Sequence, residues 1–166
     1  MSIAAILAEF KHEMANTRKL LERVPDEQAR WKPHPKSYAL GDLALHVANI
    51  PAWIPMVLQR DEFNFDESSR ERFPSLFASR AETLERFDKN VADAVDAIGA
   101  ISEDELKQQW TLKNQGASVF AVPRAVALRS FVMNHHIHHR GQLTVYLRMQ
   151  DVPLPAIYGS SADERR

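Results

Sequence analysis

The sequence predicts an all-α protein, a four-helix bundle in which the order of the helices is left open. Four long stretches repeat apolar residues with the period of an α-helix. Strand-like sequence is confined to one short region around an Asn-Gln-Gly turn. The chain has 166 residues, of which 45% are hydrophobic, enough for one domain with a buried core. We therefore expect residues 1–166 to form a single domain.

The first two helices are predicted from apolar spacing and from proline positions. Residues 3–24 carry apolar side chains every three or four positions, as one face of a helix requires. A proline-rich loop over 25–37 follows. A second helix should run from about 39 to 59, kinked where Pro51 and Pro55 remove backbone donors.

Two serines followed by glutamate predict the starts of the next helices. Ser79 with Glu82 matches a capping box, in which the two side chains satisfy free backbone N–H groups. That third helix is expected to end near Gly99. Ser102 with Glu105 repeats the pattern and opens a short helix.

The remaining segments are a connection, a hairpin, a last helix and a tail. Residues 60–77 are polar and read as a long connection. A small hairpin is predicted over 110–121, on either side of the Asn-Gln-Gly turn. Pro123 suits the first position of a last helix that runs to about residue 149. Residues 151–166 are expected to be irregular.

Composition excludes several classes of function. The formal net charge is −1 and gives no basic face, so we expect no nucleic-acid partner. The absence of cysteine excludes disulfides, thiolate metal ligands and a cysteine nucleophile within this chain. No window reaches the roughly 18 apolar residues of a membrane span, and the first residues lack the pattern of a signal peptide. We therefore expect a cytoplasmic protein without a membrane partner.

Histidines are concentrated in the last helix. Four of the seven lie within residues 135–139. His135 and His139 are one turn apart on an apolar stripe, so both rings can point to one place. His46 lies on the inward stripe of the second helix, one turn after Asp42, which either orients it or faces solvent. If these helices are neighbours, three imidazoles meet and form an open divalent-metal site; otherwise each is a core histidine bonded to a carbonyl.

Other polar residues of the last helix are candidates for catalysis. Gln142 and Tyr146 continue the histidine stripe, and His138 lies on its edge. His138 could transfer protons and Gln142 could position a ligand or a water molecule, or Gln142 and Tyr146 could simply pack. His136, a quarter turn away, is predicted either to support the site or to be solvated.

The opposite face of the last helix predicts a contact with a second copy. Met133, Ile137, Gly141 and Thr144 lie there, and a small glycine would let another helix approach closely. The alternative is an incidental glycine. We expect a homodimer.

Three stretches carry a resemblance to a known family: NHHIHHRGQLTVYLR (134–148), WKPHPKSYALGDLALHVANIPAW (31–53) and DVPLPAIYGSSADE (151–164). Together they resemble the DinB/YfiT-like superfamily of metal-binding four-helix bundles. The resemblance implies one divalent metal ion, zinc or nickel, held by His46, His135 and His139, and often a homodimer.

The resemblance leaves the reaction open. It implies a metal-dependent enzyme with a small-molecule substrate, either a hydrolase or an S-transferase that uses a low-molecular-weight thiol as co-substrate. Both reactions need a proton acceptor, for which His138, Gln142 and Tyr146 are the nearest candidates on the helix. The alternative is a non-catalytic metal-binding protein or a structural, stress-response dimer.

Overall fold

The structure is a computed structural model that describes residues 2–66 and 73–165. Within these residues, helices are joined by loops and turns, and three strands form a small sheet. The helices are α1 (Ile3–Leu21), α2 (Leu40–Asn49), α3 (Trp53–Gln59), α4 (Arg80–Ala100), α5 (Glu103–Lys107), α6 (Arg124–Val126) and α7 (Asn134–Met149), with 3-10 turns at Asp26–Gln28 and Ile50–Ala52 and a π-helical segment at Ala127–Met133. The strands are β1 (Glu62–Phe65), β2 (Gln109–Asn114) and β3 (Ala117–Pro123).

The predicted second helix is confirmed as a nearly continuous helical stretch. A 3-10 turn, Ile50–Ala52, joins α2 to α3. Pro51 lies in that turn, where its missing N–H breaks the regular α-helical pattern. Both prolines are therefore accommodated without ending the helix.

The other helix ends differ from the predictions by a few residues. Helix α1 stops at Leu21, and Val24 stays buried in the turn that follows. The Ser79 hydroxyl accepts from the Glu82 N–H at 3.2 Å and begins α4 as predicted. Helix α4 ends at Ala100, one residue beyond the predicted end near Gly99, and Gly99 does not take a left-handed conformation.

The all-α prediction is wrong in one part of the chain. The predicted hairpin exists as β2 and β3, with Gln115 and Gly116 at φ 49° and 82° in a two-residue turn. Strand β1 adds to it in parallel, pairing Glu62 with Thr111. The sequence around β1 reads as a polar connection because its partner strand lies far along the chain.

Four helical units surround the core. Helix α4 packs against α1, α2 and α3, and α2 packs against α7. Polar side chains join α7 back to α1. The order around the bundle is therefore α1, α4, α2–α3, α7, and it places the two histidine-bearing helices side by side. No helix of residues 2–66 and 73–165 is long and apolar enough to cross a membrane.

The predicted dimer face is only partly free. Met133 is buried within the chain, whereas Gly141 is exposed and a Cβ atom added there would meet nothing within 4 Å. Val145 and Met149 add exposed apolar surface to the same helix. The homodimer stays a prediction.

Candidate metal centre

Helices α2 and α7 bring the three predicted histidines together. The Nε2 atoms of His46 and His135 lie 3.1 Å apart. One ring nitrogen from each of His46, His135 and His139 can be chosen so that all three lie within 4.8 Å of one another. The ring of His139 is 4.5 Å, centroid to centroid, from each of the other two.

The local sequence explains this convergence. His135 and His139 project from successive turns of α7, which faces α2. His46 lies between Leu43 and Ile50, which are fully buried and hold that face of α2 inward. Asp42 bonds to the loop before α4: its Oδ1 accepts a hydrogen bond from the Phe77 N–H at 3.0 Å. Its role is therefore to hold that loop and not to orient His46.

Burial keeps the three imidazoles neutral. It lowers the pKa of His46 to about 4, with further lowering from His139 and His135. It lowers the pKa of His135 to about 4, again assisted by neighbouring histidines. The pKa of His139 is also lowered by burial. At neutral pH the cluster therefore presents nitrogen lone pairs and not charges.

The donor set fits a divalent cation. Zinc binds imidazole nitrogen at 2.0–2.1 Å, so two nitrogens on a tetrahedral ion are roughly 3.4 Å apart. The 3.1 Å separation between His46 and His135 is close to that value. Three neutral nitrogens also match the ligands of zinc and nickel sites better than those of magnesium or calcium.

Gln142 fixes the orientation of one ring. Its Oε1 lies 2.7 Å from Nδ1 of His139. An amide oxygen carries no hydrogen, so the ring nitrogen donates and the lone pair of His139 is left on Nε2. Of the other candidates, His138 is exposed with its ring 4.9 Å from that of His139, and Tyr146 packs edge-on against Trp31 at 5.7 Å.

Aromatic rings flank the cluster. Tyr38 stacks on His46 with the ring centroids 5.6 Å apart and the planes 13° apart. The Trp53 ring lies 5.0 Å from that of His135. A cavity lies beside His46, between these two rings and the loop before α4.

His136 lies in a buried polar network beside the three histidines. It is 1% exposed, so of the two alternatives predicted for it the solvated ring is excluded. The Thr17 hydroxyl donates to the Glu13 carbonyl at 2.9 Å and lies 2.8 Å from His136 Nε2. Because the hydroxyl hydrogen is used in the bond to Glu13, the Thr17 oxygen accepts a hydrogen bond from His136 Nε2. Burial, aided by Arg140, lowers the pKa of His136 to about 3.

Arg140 completes this buried polar network. Its guanidinium lies 2.6 Å from Oε2 of Glu13, and both side chains are nearly inaccessible. The Tyr158 hydroxyl donates to the same carboxylate at 2.8 Å and ties the C-terminal segment to α1. One signal was available in the sequence: Glu13 and Thr17 lie on the apolar face of α1, where solvated residues are not expected.

The fold and the site define a class of protein, a helical bundle with three convergent histidines from its second and last long helices. The model of the DinB family matches residues 1–165, and the chain belongs to that family. The resemblance noted in the sequence is thereby confirmed.

Named relatives agree with this assignment. The chain is 26% identical over 161 residues to the Bacillus subtilis (strain 168) uncharacterised protein YrdA, covering 95% of this chain and 89% of that one. A DinB-like protein from Bacillus cereus ATCC 10987 aligns with a TM-score of 0.68 at 23% identity, over 92% of this chain and 95% of that one. The DinB-like protein YjoA from B. subtilis aligns with a TM-score of 0.69 at 18% identity, over 98% and 99%. At these identities the two structures show the shared fold.

Proposed function

We propose that the protein binds one divalent metal ion, zinc or nickel, through His46, His135 and His139 and is a metal-dependent enzyme. The observation that carries the proposal is the convergence of three neutral imidazoles from two helices. The three rings are partly buried, and lone pairs that face one another without a proton or a cation between them repel. A shared cation satisfies them together.

A three-histidine ligand set supports catalysis over a purely structural role. Structural zinc sites are usually closed by four protein ligands, whereas catalytic sites keep a position for water or substrate. When bound, such a cation supplies a Lewis acid that activates a water molecule for hydrolysis or a low-molecular-weight thiol for S-transfer. Both reactions remain within the proposal, with a small molecule as substrate.

The chain's own residues have separate tasks in this proposal. Gln142 holds the tautomer and direction of His139. His138 is exposed next to His139 and can exchange protons with solvent. Tyr38 and Trp53 restrict water at the site.

Metal content tests the proposal directly. Untagged protein that never contacts a nickel resin is analysed by elemental mass spectrometry and compared with His46→Ala. We expect about one metal ion per chain in the wild type and none in the variant. The control is His12→Ala, which removes an exposed histidine of α1 and should keep the metal. Wild-type protein without metal, or undiminished metal in His46→Ala, would overturn the three-histidine site.

A further inference from the structure

A cavity of about 130 Å³ lies beside His46, between helices α2 and α3, the end of β1 and the loop before α4. Its wall is mainly aromatic and apolar. The residues that give it this character are Tyr38, Trp53, Phe65, Phe73 and Pro74. Such a wall attracts flat apolar groups through dispersion and ring contacts.

The cavity borders the histidine cluster at His46 and shares two rings with it. Tyr38 stacks on His46 and meets His139 edge-on at 6.4 Å. Trp53 lies 6.0 Å from His46 and 5.0 Å from His135, centroid to centroid. A molecule in the cavity therefore contacts one of the three residues that converge on the proposed metal position.

The size of the cavity suits a single ring. Buried apolar cavities of about 150 Å³ are known to bind benzene. A volume of about 130 Å³, open toward His46, accommodates one aromatic ring but not a fused system.

Charge in the wall disfavours ionic groups. The described lining residues include no lysine or arginine, and they include Asp42. The carboxylate of Asp42 already accepts from the Phe77 N–H and lies 3.8 Å from the Arg30 guanidinium. In the metal-free chain, a carboxylate or sulfonate in the cavity would lose hydration without gaining a cation. An ammonium group there would find only the Asp42 carboxylate, which is already bonded.

Two uncharged polar side chains complete the wall. Asn49 and Trp53 are 4% and 6% exposed and both line the cavity. Their Oδ1 and Nε1 atoms are closed to solvent and have no hydrogen-bond partner within residues 2–66 and 73–165, so these atoms do not face the cavity. What the two residues present to a bound ring is therefore uncharged surface.

We propose that this cavity receives an uncharged, single-ring aromatic part of the substrate, so that the enzyme acts on aryl or arylmethyl compounds whose reacting bond lies at the three histidines. The position of the reacting bond rests on the proposed function, whereas the chain forms the ring-binding cavity without metal.

Binding of three one-ring probes tests the proposal: benzyl alcohol, benzenesulfonate and benzylammonium. Each is titrated into the full chain, metal-free and zinc-loaded, and followed by calorimetry and by the Trp53 indole N–H resonance, assigned with Trp53→Phe. In the metal-free form we expect benzyl alcohol to bind at least about tenfold more tightly than either ion, since burying an unpaired charge is costly. In the zinc-loaded form benzyl alcohol should still shift the Trp53 resonance. Tighter binding of either ion to the metal-free chain, or no shift of the Trp53 resonance, would overturn the proposal.

Matched variants locate the binding. Phe65→Ala removes a partly exposed ring from the wall and should weaken benzyl alcohol about three- to tenfold, in line with the loss of an aromatic contact. Leu76→Ala removes a 71% exposed side chain outside the lining and should leave binding unchanged. Equal effects of the two variants would contradict the assignment to this cavity.

The cavity and the metal site can fail separately. Ring binding without any zinc uptake would refute the metal site alone, and zinc uptake without ring binding would refute the cavity alone.

Discussion

Two adjacent faces of α7 both carry polar side chains, but these side chains have protein partners of opposite charge or hydrogen-bonding type on one face only. On the face toward α2, His135 and His139 meet His46 with lone pairs converging and no counter-charge. On the face toward α1, His136 and Arg140 meet hydroxyl and carboxylate partners in a buried network. Each of the two proposed ligands on α7 is followed in the sequence by a residue of this network. One helix is thus anchored on one side and open to a ligand on the other.

This comparison indicates how the site acquires its geometry. A helix turns by about 100° per residue, so consecutive residues point to different neighbours. Bonds from His136 and Arg140 to the turn of α1 that holds Glu13 and Thr17 set the rotation of α7 about its axis. That rotation directs His135 and His139 at α2.

Acid should affect the open face most strongly. The pKa of His46 and of His135 is about 4 in the folded chain and about 6.5 for a free histidine. The folded state binds fewer protons than the unfolded state between these values, so the metal-free protein loses stability as pH falls from 6.5 to 4, and buried His136 adds to the loss. Protonation of His46 and His135 should lower metal affinity, by up to tenfold per pH unit for each ligand, only below about pH 4. Zinc titrations measure this, and a loss of more than tenfold per pH unit near pH 6 would contradict the lowered pKa values of His46 and His135.

Breaking the anchored face should give the next largest effect. Arg140→Ala leaves the Glu13 carboxylate buried without its cation, and we expect a loss of about 3–5 kcal/mol in the free energy of unfolding. Urea denaturation measures this loss. The control is Arg148→Ala, on the same helix as Arg140. It breaks an exposed pair with Asp163 of the C-terminal segment and should cost less than about 1 kcal/mol. Similar losses in both variants would show that the buried pair is not an anchor.

Removing the hydrogen bond that orients His139 should have a smaller effect than either of these changes. Gln142→Ala removes the acceptor of His139 Nδ1 and should lower zinc affinity by about 10–100-fold without changing stability markedly. Gln142→Glu retains an acceptor and should preserve the affinity. Competition with a chromogenic chelator measures both variants. Unchanged affinity in Gln142→Ala would remove Gln142 from the site.

The smallest effect is expected outside both faces. Gly141→Ala should raise the free energy of unfolding by about 1 kcal/mol, because alanine favours a helix and the added Cβ atom meets nothing. Thermal or urea unfolding gives the value. The predicted homodimer is tested in the same samples by sedimentation: a loss of stability together with dissociation of a dimer would place a second copy against this glycine.

The elements that local sequence determines were predictable. The spacing of His135 and His139, the serine caps of α4 and α5 and the hairpin turn at Gly116 each depend on a few neighbouring residues. The position of His46 beside them followed once the second and last helices were assumed to be neighbours.

What was missed depends on distant partners. Strand β1 exists because Glu62 pairs with Thr111, and no periodicity within four residues reveals that. The burial of His136 depends on Thr17, 119 positions earlier in the chain. Such contacts are set by packing, so the residue types alone leave them undetermined.

The π-helical segment Ala127–Met133 has a consequence for changes in chain length. A π-helical turn accommodates one residue more than an α-helix over the same span. Deleting a single residue there would restore regular α-helix and leave the downstream side chains in phase with those upstream. The same deletion just after Asn134 would rotate every later side chain by about 100° about the helix axis. His136 and Arg140 would then point toward α2, where His135 and His139 point in the intact chain. Among homologous chains, single-residue gaps should therefore be tolerated before Asn134 and excluded between His135 and Arg140.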